Sequence, residues 1–517
     1  MKKTSLLIVI FLVGYLSTHL YGLTRLPIFA DEAIYIRWSQ LIIDDWQQYL
    51  FFSLNDGKTP LLIWLQVPML RMFADPLFAV RLLSVGVGLA QAAVLYGFTR
   101  TLGGGRMSAW LSAICVAILP FWYFHHRMGL IDGMLTLWLS LTLWMVWRAF
   151  RHISTHKPAS SVRRILLDKK ILVPVVLAST SFGAALWTKL PAMLLLPSLG
   201  VLALVAARNS RARIANVTVA AFVVLAGYTL FFVQALHPAF PQLFSRGSDF
   251  LFPVSELLAG NVLQHTLPSI PNYANYFVAY ATAPFWILLI IGLFYGRHKL
   301  AVHQLFWLGL LFVLPMFVLG RVVYPRYLLP AMLFFTPAAS LAIEGLVQGL
   351  DQRNLKPLTV LSLVSVVLLC ANIVNFSVRF MTPAMFNADQ IPFVSADAEQ
   401  YLEEWSSGHG IVETVNLIQK AAQTKRIAIA TEGYFGTLPD AILVYFHNQS
   451  VENISVEGIG QPVQEIPDEF MQKHSDADER WLVVNSHRLM LESPGTLLAE
   501  YCRPNAAPCL QVWKFDE

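Results

Sequence analysis

The chain runs to 517 residues, of which 56% are apolar and 13% charged, with a formal net charge of +5. A soluble protein carries about a quarter of its residues as charges and has no use for so much apolar surface, so an ordinary globular protein is excluded. Nothing in the composition points to nucleic acid as a partner, and the bilayer is the first partner expected.

The apolar residues fall in blocks of about eighteen to twenty-two, each long enough to cross a hydrocarbon core of ~30 Å at ~1.5 Å per residue. They predict spans near 5–23, 77–99, 108–124, 130–147, 171–187, 191–207, 214–235, 276–296, 304–320, 327–348 and 358–378, about eleven crossings in all. Basic residues cluster at Lys2–Lys3, Arg100 with Arg106, Arg148 through Lys170, Arg208 to Arg213, Arg297 with Lys299, and Arg353 with Lys356. Counted from a cytoplasmic N-terminus, every cluster falls inside, and an odd number of crossings puts the C-terminal residues outside, in a periplasm or its equivalent. The first segment has the two lysines and apolar run of a signal peptide, but Tyr21 to Leu26 offers no small-residue cleavage site, so it reads as a span of a plasma or inner membrane protein.

Three regions break the alternation of span and short loop, all expected on the outer face. The first, 24–76, carries Asp31-Glu32, a Trp-rich amphipathic stretch from Ile34 to Phe52 suited to the membrane interface, and Asn55-Asp56-Gly57-Lys58-Thr59-Pro60. The second, 236–275, holds Arg246 and Asp249. The third is the turn Arg321-Val322-Val323-Tyr324-Pro325-Arg326-Tyr327. Beyond about residue 380 the composition becomes that of a soluble domain. Arg426 to Ala430, Trp481 to Val484 and Leu510 to Phe515 read as strands, and Gln400 to Ala422 and Leu438 to Phe446 as mostly helical. The expected architecture is therefore an all-α polytopic membrane domain over 1–380, with a small α/β or α+β domain over 381–517 on the outer face. Cys502 and Cys509, both in that domain, could close a short disulfide loop. No internal repeat, Walker sequence, dinucleotide loop or zinc-type spacing is present.

Ionisable groups at membrane depth cost several kcal/mol, so each needs a reason. Asp132 lies just inside the fourth span, after His125-His126-Arg127, and Lys189 sits between two spans in Trp187-Thr188-Lys189-Leu190-Pro191. With Asp31, Glu32, Asp56, Lys58, Arg246, Arg321 and Arg326 they gather acid and base at one membrane face. Each also has a plain structural reading. Asp31-Glu32 could be a solvated loop start, Lys58 and Arg326 snorkelling flanks, Asp132 a helix cap or a partner of Arg127, and His125-His126 a polar turn.

These residues carry a resemblance. Asp31-Glu32-Ala33, Lys58-Thr59-Pro60-Leu61-Leu62-Ile63-Trp64-Leu65, Ala79-Val80-Arg81-Leu82-Leu83-Ser84, Arg127 with Asp132, Trp187 to Pro191, and Tyr324 to Pro330 follow one another in this order over about the first 330 residues. The chain so resembles the GT-C superfamily of membrane glycosyltransferases, in the branch of the protein O-mannosyltransferases and the lipid A aminoarabinose transferase. The resemblance implies a GT-C fold and a polyprenyl-phosphate sugar as donor, with a glycolipid, a surface glycan or a protein as acceptor. It implies Asp31, with Glu32 beside it, as the catalytic acidic pair, Asp31 acting as general base in a single inverting displacement. The leaving lipid phosphate needs fixed cations, for which Lys58 and Arg326 are the first candidates and Arg321, Arg246 and Lys189 the next. Relatives commonly have two prolines after the loop lysine, and Thr59 replaces the first here. In some relatives an acidic residue before that lysine joins the fourth-span aspartate on a divalent metal. Here Gly57 holds that place, so a metal would fall to Asp132 and Asp56, with His125 or His126. No other cofactor is expected. A different class, a transporter or flippase of lipid-linked glycans, would show repeated halves with helices broken at mid-membrane, and the sequence shows none. Asn-x-Ser triplets at Asn448 and Asn453 read as chance.

Overall fold

The computed structural model describes residues 2–155, 167–253, 255–256, 259–351, 357–447, 453–492 and 494–515. Arg353, Lys356 and Asn448, and most of the basic stretch between Arg151 and Asp168, lie outside the described residues. The chain divides into two compact units, one of Met1–Tyr21, Phe51–Leu62 and Ser84–Thr382, the other of Gly22–Leu50, Ile63–Leu83 and Pro383–Glu517. This differs from a single cut after residue 380. Most of the first outer region counts with the C-terminal residues, and only the stretch bearing Asp56 and Lys58 counts with the membrane helices.

The first unit is an apolar helical bundle, and the chain is an integral membrane protein. Among the described residues seven helices are long and apolar enough to cross a bilayer: Pro76–Thr101, Ile131–Ile153, Lys169–Thr188, Ser210–Leu236, Lys299–Leu319, Pro325–Gly349 and Val360–Phe386. The other expected spans are helical too, but shortened or broken. Ser5–Leu20, Arg106–Ile118 and Leu190–Val205 are apolar yet short. Pro120 stops the second of these and restarts the chain as the helix Pro120–His125. The span expected at 276–296 is two helices, Thr266–Ala281 and Ala283–Phe294, bent by 100°. Thr282 makes the corner at φ 72°, its hydroxyl accepting the Phe285 N–H while Pro284 sits in the first turn of the second helix. Some of the polar groups inside the bundle are paired, which spares them the roughly 1–3 kcal/mol that burial without a partner costs. Gln91 donates to Ser140 at 2.9 Å, and Glu344 accepts from the Gly105 N–H at 2.7 Å and the Ser108 hydroxyl at 2.8 Å.

The second unit is built on a five-stranded sheet of β1 (Ile427–Glu432), β2 (Ile454–Gly460), β3 (Glu479–Asn485), β4 (Thr496–Tyr501) and β5 (Leu510–Lys514), in the order β2-β1-β3-β5-β4. β1 is parallel to both β2 and β3, while β5 is antiparallel to β3 and β4. On one face Ile427, Ile429, Trp481, Val483 and Val512 pack against Ile411, Val415 and Ile418 of the helix Ile411–Ala421, and against Ala441, Ile442 and Val444 of Asp440–Phe446. The region from 400 to 410, expected helical, is a single wide turn at Glu399–Glu403 followed by loop. The Trp-rich stretch folds as the helix Ala30–Asp44 and buries its apolar side on this same core, with Ala33 and Ile36 in the cluster and Gln40 donating to the Val444 carbonyl at 2.9 Å. The apolar side of this helix is therefore spent on protein, whereas Trp46, in the short helix Trp46–Tyr49 that follows, is 61% exposed. Cys502 and Cys509 are joined by a disulfide.

Candidate active site

Asp31 sits half-buried in the first turn of Ala30–Asp44, where the helix dipole favours a carboxylate. Its turn is fixed from two directions. The Ala30 N–H donates to the Ser406 carbonyl at 2.9 Å and the Gly408 N–H donates back to the Ile28 carbonyl at 2.8 Å, so Phe29 and Ser407 form a small antiparallel bridge. From the other direction comes Glu32, fully buried, whose carboxylate accepts the Phe29 N–H at 3.1 Å and a two-point fork from Arg81, Nε at 2.8 Å and Nη2 at 2.7 Å. Arg81, itself fully buried, spends its remaining donors on the carbonyls of Leu23, Leu26 and Pro27 at 2.9, 2.8 and 3.1 Å. With both oxygens engaged, Glu32 braces the turn that carries Asp31. Glu32 is expected from the sequence as Asp31's catalytic partner, and Arg81, which lies in one of the runs that carry the resemblance, is not among the expected site residues.

In the helical unit the structure brings together two groups of charges. At the start of Ile131–Ile153 the buried Asp132 accepts from Lys189 Nζ at 2.7 Å. Lys189 follows directly on Lys169–Thr188, and its extended backbone turns the chain into the next helix. Its ammonium lies 4.4 Å from the centre of the Tyr327 ring, and the buried Arg326 guanidinium lies 5.5 Å from both the Tyr327 and Tyr324 rings. Two cations thus share one tyrosine, an arrangement worth roughly 1–2 kcal/mol per contact when desolvated. Tyr327 was not among the expected site residues.

The second group forms where the short helix Phe52–Asp56 is closed by Gly57, left-handed at φ 71°. Asp56 accepts from Arg246 Nη1 at 2.7 Å and stands 3.3 Å from Lys58 Nζ, and Arg246 also reaches Asp249 at 3.1 Å. Burial works against the Arg246 charge, but Asp56 and Asp249 outweigh it and raise its pKa. Arg321 is exposed and donates to the Ser248 carbonyl at 2.9 Å, tying down the segment that carries Arg246.

The carboxylates expected to hold a metal are each neutralised by a cation, Asp132 by Lys189 and Asp56 by Arg246 and Lys58. Each would have to give up its cation before it could ligate a divalent ion, which needs several oxygens converging on one point. Among the described residues the one convergence of three such ligand types is Glu500 with Cys502 and Cys509, and those two sulfurs are spent in the disulfide.

The family described as dolichyl-phosphate-mannose-protein mannosyltransferase matches residues 47–247. No curated protein sequence matches the chain. Among solved structures, the fold is similar to that of ArnT from Cupriavidus metallidurans in the apo state, at 15% identity and a TM-score of 0.59, covering 99% of this chain and 98% of that one. The same protein bound to undecaprenyl phosphate matches at 14% identity and a TM-score of 0.56, with the same coverage. The archaeal oligosaccharyltransferase AglB from Archaeoglobus fulgidus, in complex with an inhibitory peptide and a dolichol-phosphate, matches at 10% identity and a TM-score of 0.57, covering 93% of this chain and 70% of that one.

Proposed function

We propose that this chain, which has the fold of the GT-C membrane glycosyltransferases and resembles their O-mannosyltransferase and ArnT branch, transfers a sugar from a polyprenyl-phosphate donor to an acceptor hydroxyl on a glycolipid, a surface glycan or a protein. The observation that carries this reading is the fixing of the Asp31 turn by Arg81, Glu32 and the 406–408 loop. Such clamping of backbone around one carboxylate is what a general base needs, because misplacement by about 1 Å can cost on the order of a hundredfold in rate. Asp31 takes the acceptor proton while the acceptor oxygen forms its bond to the anomeric carbon. The bond from that carbon to the lipid phosphate breaks in the same displacement, so the configuration inverts and the phosphate leaves with the electron pair. Lys189 and Arg326 are the cations best suited to receive that charge, with Lys58, Arg246 and Arg321 as a second group. Binding of undecaprenyl phosphate and dolichol-phosphate by proteins of this fold supports a lipid phosphate as the ligand. The positive-inside count supports a cytoplasmic N-terminus and a C-terminal unit on the outer side.

The test is transfer by the purified chain in nanodiscs from a panel of radiolabelled polyprenyl-phosphate sugars to membrane extract, comparing wild type with Asp31→Asn. Labelled product from wild type and a loss of about a thousandfold or more in the variant is the expected result. Equal turnover by both removes Asp31 as base, and no turnover of any donor removes the transferase reading.

A further inference from the structure

In the second unit the chain leaves β1 for β2 on one side and comes back to β3 on the other. The two connecting helices cover opposite faces, since Asp440–Phe446 packs with Ile427 and Ile429, whereas Asp468–Lys473 places Phe470 with Ala428 and Ala430. That reversal makes the gap between β1 and β3 a topological switch point, and in open α/β sheets ligands bind outside the carboxyl ends of the strands there. The carboxyl ends are Glu432 and Asn485. Both are buried, Glu432 accepting from the Asn485 N–H at 2.8 Å, from Asn485 Nδ2 at 2.7 Å and from Arg488 Nη1 at 3.2 Å.

The surface over these strand ends is aromatic. Arg488, also bonded to Gln461, lies 4.5 Å from the centre of the Trp405 ring. The loop after β1 presents Tyr434 and Phe435, 73% and 58% exposed, between Gly433 and Gly436, both left-handed at φ 70° and 112°. The loop lies against Trp405, because a Cβ on Gly436 would come within 3.3 Å of that ring. This surface is also tied to the Asp31 turn within the same unit. Arg503, buried, donates to Asn485 Oδ1 at 2.6 Å and to the Ser407 carbonyl at 3.2 Å, and Ser406, next to Trp405, receives the Ala30 N–H.

We propose that this surface is the acceptor subsite and that the acceptor it takes is a saccharide. The inference rests on the transferase reading and narrows it. A flat aromatic face takes the C–H face of a sugar ring, and Arg488 with Gln461 supplies the hydrogen-bonding rim that hydroxyls require. A peptide recognised by strand addition needs a sheet edge, and β1 and β3 are interior strands. A bilayer surface would strip water from Arg488 and Gln461 without returning hydrogen bonds.

The test uses the full chain in nanodiscs with radiolabelled polyprenyl-phosphate sugar as donor and envelope extract as acceptor, for wild type, Tyr434→Ala and Arg488→Gln. If wild type consumes no donor, the transferase reading falls and the subsite with it. Given turnover, the acceptor concentration at half-maximal rate is expected to rise about tenfold or more in both variants, with the donor dependence unchanged and the label in glycan. Arg488→Gln can loosen Glu432, so Tyr434→Ala, at an exposed side chain, decides the matter. Unchanged acceptor dependence in Tyr434→Ala, a fall in kcat alone, or label in protease-sensitive material overturns the proposal.

Discussion

Glu32 and Arg81, distant in sequence, meet in a two-point ion pair at 2.8 and 2.7 Å with neither side chain exposed. Removing one partner of a buried pair strands the other charge and costs about 3–5 kcal/mol. Arg81→Ala is therefore expected to destabilise the second unit by that amount and to release the 23–27 loop as well. Glu32→Gln strands the Arg81 charge in turn and should cost a similar amount, although its amide oxygen can still accept the Phe29 N–H. Both should lower the transfer rate and leave donor affinity unchanged, because they act through the placing of Asp31. Thermal unfolding beside donor titration checks this, and a donor affinity that falls with the rate would refute the positioning role.

Lys189 has two tasks that one substitution confounds, balancing Asp132 and offering charge to the donor. Lys189→Ala should weaken donor binding by roughly ten- to a hundredfold, the worth of a hydrogen bond to a charged group, and destabilise the bundle too. Adding Asp132→Asn removes the uncompensated carboxylate, so stability should recover while donor affinity stays low. Recovery of both in the double variant would show that Lys189 serves only the ion pair.

Hydropathy made the helical bundle legible because a spanning segment announces itself by length alone. It misled at 276–296, where a window average runs smoothly over Thr282 and Pro284 although the backbone turns there by 100°. The packing of Ala33 and Ile36 on the sheet core was hidden for another reason, since an apolar helix face looks the same whether it meets lipid or a protein core. β2 and β4 were missed because Ile-Ser-Val-Glu-Gly-Ile-Gly is only half-buried for most of its length and Thr-Leu-Leu-Ala-Glu-Tyr largely exposed, so neither shows a core-strand pattern. At the candidate site, the Asp31-Glu32 pair is conspicuous in the sequence by its place after the first span. The partners Arg81 for Glu32 and Lys189 for Asp132 could not, as they are 49 and 57 residues away and no local period links them.

Asp440 gives the second unit a pH dependence. Burial pushes its carboxyl up to about 6, although the Gly436 N–H, at 2.7 Å, and the Arg37 charge pull the other way. The folded state then binds more protons than the unfolded state between about pH 4 and 6, so stability falls as pH rises through that window and the penalty is complete above it. At pH 7 the penalty is up to about 3 kcal/mol. Asp440→Asn keeps an acceptor for Gly436 and removes the charge, so it should raise Tm at pH 7 and flatten the profile between pH 4 and 6. A lower Tm at pH 7 in the variant would contradict a raised pKa.

The ion pairs at Asp132 and Asp56 bear on metal dependence. A carboxylate already neutralised within 2.7 Å by lysine or arginine must give up that partner before it can ligate a cation, and at Asp132 the exchange would leave Lys189 beside a dipositive ion. Dialysis against a chelator is therefore expected to leave transfer within about twofold of its starting rate, well inside the spread of a factor of ten per ~1.4 kcal/mol. Lys189→Met would free Asp132 and should not create a metal requirement, because one buried carboxylate without converging oxygens holds a hard cation poorly. Activity lost on chelation and restored by magnesium or manganese, but not by monovalent salt of equal ionic strength, would show that the Asp132–Lys189 pair opens during turnover.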